Sequence, residues 1–225
     1  MDCPKCGSDH YVKDGIANRR QRYKCKKCGY RYTVKRRSSK IPDSIKRFAL
    51  QPYPEGLGFR SIERLLGVSH VSVMNWVAGF AEKLAPLRSP TKPAAVEIDE
   101  LHSYVHQKKN RWVWIAVDRL RRRYVGFAVG DGSAKTGRRL WRSMRTGSVE
   151  LAPTDRWRAY GEFLPPSKHF ASKAETFTVE GYNSRIGHYL ARFGRKTKCY
   201  SKSQKMMFHS PRLPMQKLNG DPYLI

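Results

Sequence analysis

Apolar residues in the second half of the chain follow strand spacing first and helix spacing later. The stretches Val96–Leu101, Trp112–Val117 and Tyr124–Val129 are short and rich in β-branched and aromatic residues, with polar turns between them. This pattern predicts three strands of an antiparallel meander. Residues 135–144 then predict a crossover helix, which leads to another strand near residues 149–151.

A fifth strand is predicted at residues 169–172, followed by an amphipathic helix at residues 178–193. The apolar stripe of this helix consists of Val179, Tyr182, Ile186, Tyr189, Leu190 and Phe193. The order of these elements predicts a mixed α/β sheet. In that sheet Asp155, at the tip of the fourth strand, lies beside Asp99 of the first.

Residues 59–77 have helical spacing on both sides of a turn that contains glycine. Gly67 is placed to end the first helix and Ser69 to cap the second. This arrangement is typical of a helix-turn-helix. The apolar residues predicted to pack across the turn are Ile62, Leu65 and Leu66 against Val71, Met74 and Val77.

The second helix of this pair has a side suited to the major groove of DNA. The residues predicted for that exposed face are His70, Ser72, Val73 and Asn75. A plain structural helix pair has much of the same pattern, and this alternative stays open. Pro86, Pro90 and Pro93 then predict a linker at roughly residues 86–94.

Four of the five cysteines form two close pairs. Cys3 and Cys6, and Cys25 and Cys28, are CxxC sequences separated by eighteen residues, the spacing expected of a four-thiolate structural zinc site. A glycine directly after each pair provides the tight turn that such a site needs. Because the intervening segment is very polar, zinc binding and folding are expected to be one event. The alternatives are small core cysteines or a disulfide.

The charge of the chain indicates a polyanionic partner. The formal net charge is +27, and basic residues occur along the whole length, so double-stranded DNA is the expected partner. A membrane is the competing partner, but the sequence has no apolar run near spanning length and no long basic amphipathic helix. The N-terminus does not resemble a signal peptide, so a location in a reducing cytoplasm is expected.

Three carboxylates are the catalytic candidates. Asp99 is set among apolar neighbours, where a carboxylate is costly unless it binds a cation or a partner. Glu180 lies one residue off the buried stripe of its helix, and Asn183 shares its side. The three carboxylates of Asp99, Asp155 and Glu180 suit a pair of Mg²⁺ or Mn²⁺ ions. Phosphodiester cleavage needs such a pair because one ion activates the attacking oxygen and the other stabilises the leaving oxygen.

Each acidic residue also has a structural alternative. Asp118 fits a turn at a strand end, and Glu97 and Glu100 fit local ion pairs with nearby basic residues. Glu180 fits a helix-start acid that the helix dipole favours. Eighteen acidic residues permit many triples, so spacing alone leaves the triad open.

The layout as a whole resembles the insertion-sequence-one family of bacterial transposases, over almost the full chain. The most specific matching motifs are Ile98-Asp99-Glu100, Thr154-Asp155-Arg156-Trp157, Val179-Glu180-Gly181-Tyr182-Asn183 and the basic run 195–203. The resemblance implies the acidic-triad (DDE) mechanism, in which water cleaves at the element's ends and the freed 3′-hydroxyl attacks target DNA. It assigns Asp99, Asp155 and Glu180 as the metal-binding catalytic triad. His169 and Asn183 are similar to residues that flank the triad.

The expected fold class is mixed α/β, with a ribonuclease-H-like catalytic domain built on a five-stranded mixed sheet. A small zinc ribbon and a helical helix-turn-helix domain precede it. The expected boundaries are 1–37 for the zinc ribbon, 40–88 for the helix-turn-helix domain, 89–94 for a linker, 95–210 for the catalytic domain and 211–225 for a C-terminal tail. Pro211 and Pro214 are expected to interrupt that tail, where a helix otherwise continues.

The basic segment 192–205 is expected to contact DNA, with a solvated basic face as the alternative. Its named contacts are Arg195, Lys196, Lys198 and Lys202. Because transposition joins two ends at once, a homo-oligomer is expected on DNA. The alternatives to an active transposase are a non-catalytic zinc-dependent repressor, a decayed inactive copy, and a resolvase-type or RNA-cleaving nuclease on the same fold.

Overall fold

The computed structural model of the chain describes residues 2–34, 41–105, 109–144, 146–194 and 196–220. The chain divides into two compact units, residues 1–42 and 43–225. The second unit contains both the predicted helix-turn-helix and the predicted catalytic region. Arg195, one of the expected DNA contacts, lies outside the described residues.

The first unit is a three-stranded antiparallel sheet. Its strands are β1 (Tyr11–Ala17), β2 (Arg20–Cys25) and β3 (Arg31–Thr33). The buried cluster of this unit contains Cys3, Cys25 and Tyr32. So small an apolar cluster contributes little burial energy, which agrees with the expectation that metal binding and folding coincide here.

The second unit begins with helices α1 (Asp43–Leu50), α2 (Phe59–Leu66) and α3 (His70–Lys83). The turn between α2 and α3 has the predicted chemistry. Gly67 ends α2 at φ 65°, and its N–H donates to the Glu63 carbonyl at 2.9 Å. The Ser69 hydroxyl caps α3 by accepting from the Val71 N–H at 3.3 Å. The two helices predicted here, with Gly67 ending the first and Ser69 capping the second, are therefore confirmed.

The packing between α2 and α3 differs in part from the prediction. Ile62 and Val77 are buried as predicted, but Leu65 is 59% exposed and Val71 is 46% exposed. Val73, predicted for the exposed DNA-facing side, is fully buried. It lies four residues before Val77 and shares its face of α3, whereas Val71 lies on the opposite side. The predictions for Val71 and Val73 were wrong for this reason, and that for Leu65 of α2 was wrong as well.

The predicted antiparallel meander is confirmed. It consists of β4 (Val96–Val105), β5 (Lys109–Asp118) and β6 (Arg123–Gly130), paired in that order. The predicted crossover helix follows as α4 (Ala134–Ser143). Trp114 of β5 is fully buried between this helix and the sheet, with its ring 5.6 Å from that of Trp157 and 5.4 Å from that of Tyr160.

The remaining strands form a separate parallel pair, β7 (Ala152–Thr154) and β8 (His169–Ala171). A parallel bridge between Ala95 and Leu151 connects the start of β4 to the start of β7. The Val96 N–H donates to the Leu151 carbonyl there, at 3.0 Å. The second unit therefore has one sheet of three strands and one of two strands, whereas a single five-stranded sheet was expected.

Two helices complete the unit, α5 (Phe177–Tyr189) and α6 (Gln204–Leu218). The stripe predicted for α5 is largely buried, but the helix ends at Tyr189 because Leu190 is extended, at φ −128° and ψ 109°. Pro211 and Pro214 do not interrupt α6, contrary to expectation. They are three residues apart, so both missing N–H groups fall in one local stretch of the helix.

Helix α6 fastens the helix-turn-helix to the α/β part of the same unit. Lys205 forms an ion pair with Glu82 of α3 at 2.9 Å, and Gln216 donates to the Ala85 carbonyl at 2.6 Å. Over the described ranges, the helices are all too short or too polar to cross a lipid bilayer.

Candidate active site

The site is built around Asp99, in the middle of β4. Its backbone pairs with Ile115 of β5, and its side chain is partly buried. The Asn183 side chain, from α5, donates an amide N–H to Asp99 Oδ2 at 2.7 Å. Asn183 is itself buried, and its Oδ1 has no hydrogen-bond partner in the described structure. Helix α5 thus packs an amide directly onto the first predicted catalytic carboxylate.

Asp155 directly follows Thr154, the last residue of β7. Its Oδ1 accepts the Trp157 N–H at 2.8 Å, which fixes the carboxylate at the strand tip. Oxygens of Asp99, Glu100 and Asp155 all lie within 4.8 Å of one another. The predicted proximity of Asp99 and Asp155 is therefore present, and a third carboxylate joins them.

Glu180 does not belong to this cluster of three. It lies in the first turn of α5, is exposed, and accepts a hydrogen bond from the Thr176 hydroxyl at 3.0 Å. It is nevertheless near enough for its charge to act on Asp99. Its charge thus reaches Asp99, although its carboxylate is not among the three grouped side chains.

The electrostatics of the cluster favour a bound cation. Burial raises the pKa of Asp99, and the charges of Asp155 and Glu180 raise it further. Burial also raises the pKa of Glu100 to about 8, with added repulsion from Asp99 and Asp155. Glu100 Oε1 is buried and has no hydrogen-bond partner in the described structure. Carboxylates crowded in this way are relieved by a hard divalent ion.

Glu100 is the residue that sequence reasoning missed. It was assigned an ion pair, whereas the structure places it against the carboxylates. The alternation of a strand sends Asp99 and Glu100 to opposite faces, so spacing argues against a shared site. The structure nevertheless brings an oxygen of each within 4.8 Å of Asp155, which follows the last residue of β7. Adjacency to Asp99 was the available signal.

The ion pair proposed as the structural alternative for Glu97 is confirmed. Its carboxylate is fully buried and accepts from Arg119 Nε at 2.6 Å through Oε1. Its Oε2 accepts the Val179 N–H, in the first turn of α5, at 2.8 Å. Arg119 also pairs with Glu175 at 2.7 Å. This network joins β4, the end of β5 and the start of α5, and so sets how α5 lies over Asp99.

Two further residues have structural partners. Asp118 is the predicted turn residue, since it accepts from the Leu120 N–H at 3.1 Å and from the Ser89 hydroxyl at 2.8 Å. His169 Nε2 lies 2.8 Å from the Thr154 hydroxyl, behind the tip of β7. Burial lowers the pKa of His169, so its ring is neutral near pH 7 and suited to this hydrogen bond.

The four predicted zinc ligands come together in the first unit. The sulfurs of Cys3, Cys6, Cys25 and Cys28 all lie within 4.8 Å of one another. Gly7 and Gly29 adopt φ 70° and 72°, and each donates its N–H back to the first cysteine of its pair, at 2.8 and 3.0 Å. The turns predicted after each pair are thus confirmed.

Hydrogen bonds from backbone N–H groups favour the thiolate form of Cys25 in this cluster. The N–H groups of Cys28 and Lys27 lower the pKa of Cys25 to about 6. The Ser8 N–H favours the Cys6 thiolate, but the neighbouring thiols raise the pKa of Cys6 to about 12. Several thiolates at this spacing repel one another, so full deprotonation needs a cation such as Zn²⁺.

The proposed DNA-contacting positions differ in exposure. Asn75 is exposed and Ser72 is partly buried, while the His70 ring lies 3.1 Å from a Glu63 carboxylate oxygen. Val73 is withdrawn from the DNA-facing set because it is buried. In the basic segment, the described residues predicted to contact DNA are all exposed: Lys196, Lys198 and Lys202.

Comparison with known proteins adds a family match over this region. A family model described as IS1 transposase matches residues 94–210. The InsB protein of insertion element IS1 4 from Escherichia coli is 36% identical over 111 residues, which cover 49% of this chain and 66% of that protein. The IS1 InsB protein of Shigella flexneri is 35% identical over 111 residues, covering 85% of its length. The matched segment contains the whole carboxylate cluster and α5.

Proposed function

Because this chain belongs to the IS1 transposase family, we propose that it is a DNA transposase, which binds the ends of an insertion sequence and catalyses metal-dependent strand cleavage and strand transfer. The observation that carries the proposal is the cluster of Asp99, Glu100 and Asp155 oxygens within 4.8 Å, inside the family-matched segment. A scaffold that only bound DNA would gain nothing from this costly arrangement.

The residues of the cluster fit Mg²⁺ or Mn²⁺. Carboxylate oxygens are the ligands that these ions prefer, and the unpartnered Glu100 Oε1 is an oxygen that lacks a donor. A bound divalent ion supplies Lewis acidity toward the phosphodiester oxygens. Asn183 orients the Asp99 carboxylate and the Trp157 N–H orients Asp155. We propose that Glu180, in the first turn of α5, completes the set.

For the fold, we propose a ribonuclease-H-like arrangement. The Ala95–Leu151 bridge lies between the meander and the parallel pair. If the two sheets act as one, the strand order is β6-β5-β4-β7-β8, with antiparallel pairing on one side and parallel on the other. Asp99 then lies on the central strand β4, and Asp155 directly follows its neighbour β7.

For DNA recognition, we propose that residues 1–37 form a zinc ribbon and residues 40–88 a helix-turn-helix domain, joined by residues 89–94 to a catalytic domain at 95–210. The exposed Asn75 on α3 supports a groove-reading role, and the exposed lysines of the segment 196–202 support phosphate contacts. The partners are the element ends and a target duplex, with a homo-oligomer on the DNA, in the bacterial cytoplasm.

The test is nicking of a supercoiled plasmid that carries the sequences flanking this reading frame, with Mg²⁺ or Mn²⁺. We expect Asp99→Ala to abolish nicking and strand transfer, because it removes the central carboxylate and the partner of Asn183. Binding to the same DNA is expected to stay within about twofold, since phosphate contacts elsewhere dominate affinity. Glu162→Gln is the matched control, because Glu162 is a half-exposed surface carboxylate. This variant is expected to cleave normally.

Cleavage that survives Asp99→Ala would refute the assignment of the site. Binding without cleavage by the wild-type chain, under every metal condition, would favour a repressor or a decayed copy. Cleavage without strand-transfer products would favour a nuclease of the resolvase type.

A further inference from the structure

A groove runs beside the carboxylate cluster, between the far half of β4 and the segment after α5. It encloses about 1210 Å³. Residues on its walls include His102, Tyr104, Asn183, His188, Lys196 and Tyr200. Neither the catalytic assignment nor the helix-turn-helix accounts for it.

Aromatic rings on its walls are open to the groove. Tyr104 is 43% exposed and Tyr200 is 42% exposed. His102 packs edge-on between Tyr104 and Trp112, with ring separations of 4.8 and 4.9 Å, which holds this wall in place. Exposed, fixed rings of this kind provide stacking surfaces for planar groups.

The opposite wall is basic and anchored. His188 and Lys196 are exposed cationic or ionisable groups on it. Arg192 is buried behind them, where it donates to the Ser201 hydroxyl at 3.0 Å and lies 4.9 Å from the centre of the Phe59 ring. A backbone bridge between Val105 and Ser201 joins the end of β4 to the segment after α5, next to the wall residues Tyr104 and Tyr200. The groove is therefore formed without a ligand.

The groove leads into the carboxylate cluster through Asn183. This residue both lines the groove and donates to Asp99 Oδ2. A chain lying in the groove therefore meets the carboxylates at one end. Duplex DNA presents phosphates outside and hides its bases, so it needs cations but not rings. An unpaired strand presents both, and rings together with cations match it.

From these observations we propose that the groove binds an unpaired stretch of DNA strand adjoining the phosphodiester that is cleaved, with bases stacked on Tyr104 and Tyr200 and phosphates near Lys196 and His188. The inference rests on the proposed transposase function and deepens it. It implies that the end of the element is locally opened before or during cleavage.

The experiment measures binding of the full chain to fluorescein-labelled oligo(dT) of about 20 nucleotides and to a duplex of the same length, by anisotropy without Mg²⁺. For Tyr104→Ala combined with Tyr200→Ala, we expect affinity for oligo(dT) to fall about thirtyfold or more and duplex affinity to change less than about twofold. The combined Phe variants keep the rings and are expected to bind as wild type. Phe170→Ala removes an exposed ring elsewhere, 48% accessible on β8, and is the matched control.

A second readout is a 2-aminopurine placed in the oligonucleotide, whose fluorescence is quenched by stacking on tyrosine. We expect quenching with the wild-type and Phe chains and its loss with the Ala chain. Unchanged oligo(dT) affinity, equal losses for single strand and duplex, or an equal loss for Phe170→Ala would overturn the proposal. Preferential, tyrosine-dependent binding of oligo(U) over oligo(dT) would also overturn it, in favour of RNA. Because the assay needs no cleavage, its failure is separable from failure of the transposase assignment.

Discussion

The Glu100 carboxyl is held between Asp99, Asp155 and the buried Tyr160 ring. One of its oxygens is buried without a hydrogen-bond partner in the described structure, and its pKa is raised to about 8, mainly by burial. A group of this kind is protonated in the metal-free protein at neutral pH. It becomes a ligand once a divalent ion replaces the proton.

This gives a pH dependence with a definite sign. The ordinary pKa of 4.5 in the unfolded chain lies below the folded value of about 8, so the folded state holds the proton more tightly. The contribution to stability is present below pH 4.5 and is lost as the pH rises toward 8. We therefore expect Glu100→Gln to raise the free energy of unfolding of the Mg²⁺-free chain at about pH 8 and to leave it nearly unchanged at about pH 4.

Urea unfolding at the two pH values measures this effect. Addition of Mn²⁺ at about pH 8 is expected to stabilise the wild type more than the Gln variant, because only the wild type offers the extra carboxylate. Glu162→Gln is the exposed control. An identical pH dependence for wild type and Glu100→Gln would show that Glu100 titrates normally and is not crowded by the cluster.

At the scale of the elements, the position of α5 decides whether the site is assembled. Its first turn is held by Glu97, whose carboxylate binds Arg119 and the Val179 N–H at once. Both Glu180 and Asn183 depend on this placement, since they lie one and four residues beyond Val179. The buried ion pair thus acts on the site through the helix.

We expect Glu97→Gln to destabilise the chain by up to about 3–5 kcal/mol, because it leaves the Arg119 charge poorly compensated beside a fully buried side chain. Nicking at saturating Mg²⁺ is expected to fall more than tenfold in the folded fraction, with DNA affinity retained. Urea unfolding and plasmid nicking measure the two effects.

Glu175→Gln is the matched control for this prediction. Glu175 pairs with the same arginine, but its side chain is 40% exposed. Its loss is expected to cost only about 0–1 kcal/mol. Equal effects of the two substitutions on nicking would show that the charge of Arg119 matters and that the contact with α5 does not.

Most elements of the second unit were predictable because their spacing is regular. Alternating and continuous apolar runs predicted β4, β5 and β6. Gly67 and Ser69 predicted the turn between α2 and α3. The misplaced details depend on which partner covers a face. Val73 is buried in place of Val71 because it shares the inward face of α3 with Val77, four residues on, a spacing that was present in the sequence and was not used.

The site was predictable to a similar degree. Asp99 and Asp155 were found from strand ends and family motifs, and the structure brings them together. Glu100 was not found, because its approach depends on where the tip of β7 meets β4, a contact between segments about fifty residues apart in sequence. Long-range placement of this kind leaves no periodic trace in the chain.

At the scale of the whole molecule, the two units have cores of different kinds. The second unit has a large apolar core around Trp114, Tyr160 and Leu140. The first unit buries little beyond Cys3, Cys25 and Tyr32, and two of these three are proposed zinc ligands. We therefore expect the stability of the first unit to depend on a metal bound by the four cysteines, and that of the second on apolar burial.

Zinc removal is accordingly expected to unfold residues 1–42 alone. With a zinc-selective chelator, amide signals of β1 to β3 should collapse toward random-coil shifts in ¹H–¹⁵N spectra, while those of α3, β5 and α6 should keep their dispersion. Cys25→Ser is expected to give the same result and to lose the bound zinc, because Cys25 is buried at the centre of the cluster. Cys199→Ser, at the exposed fifth cysteine, is the control and should bind zinc as wild type. Loss of dispersion in both units would mean that the metal stabilises the whole chain, and persistence of the β1–β3 signals would mean that the first unit folds without it.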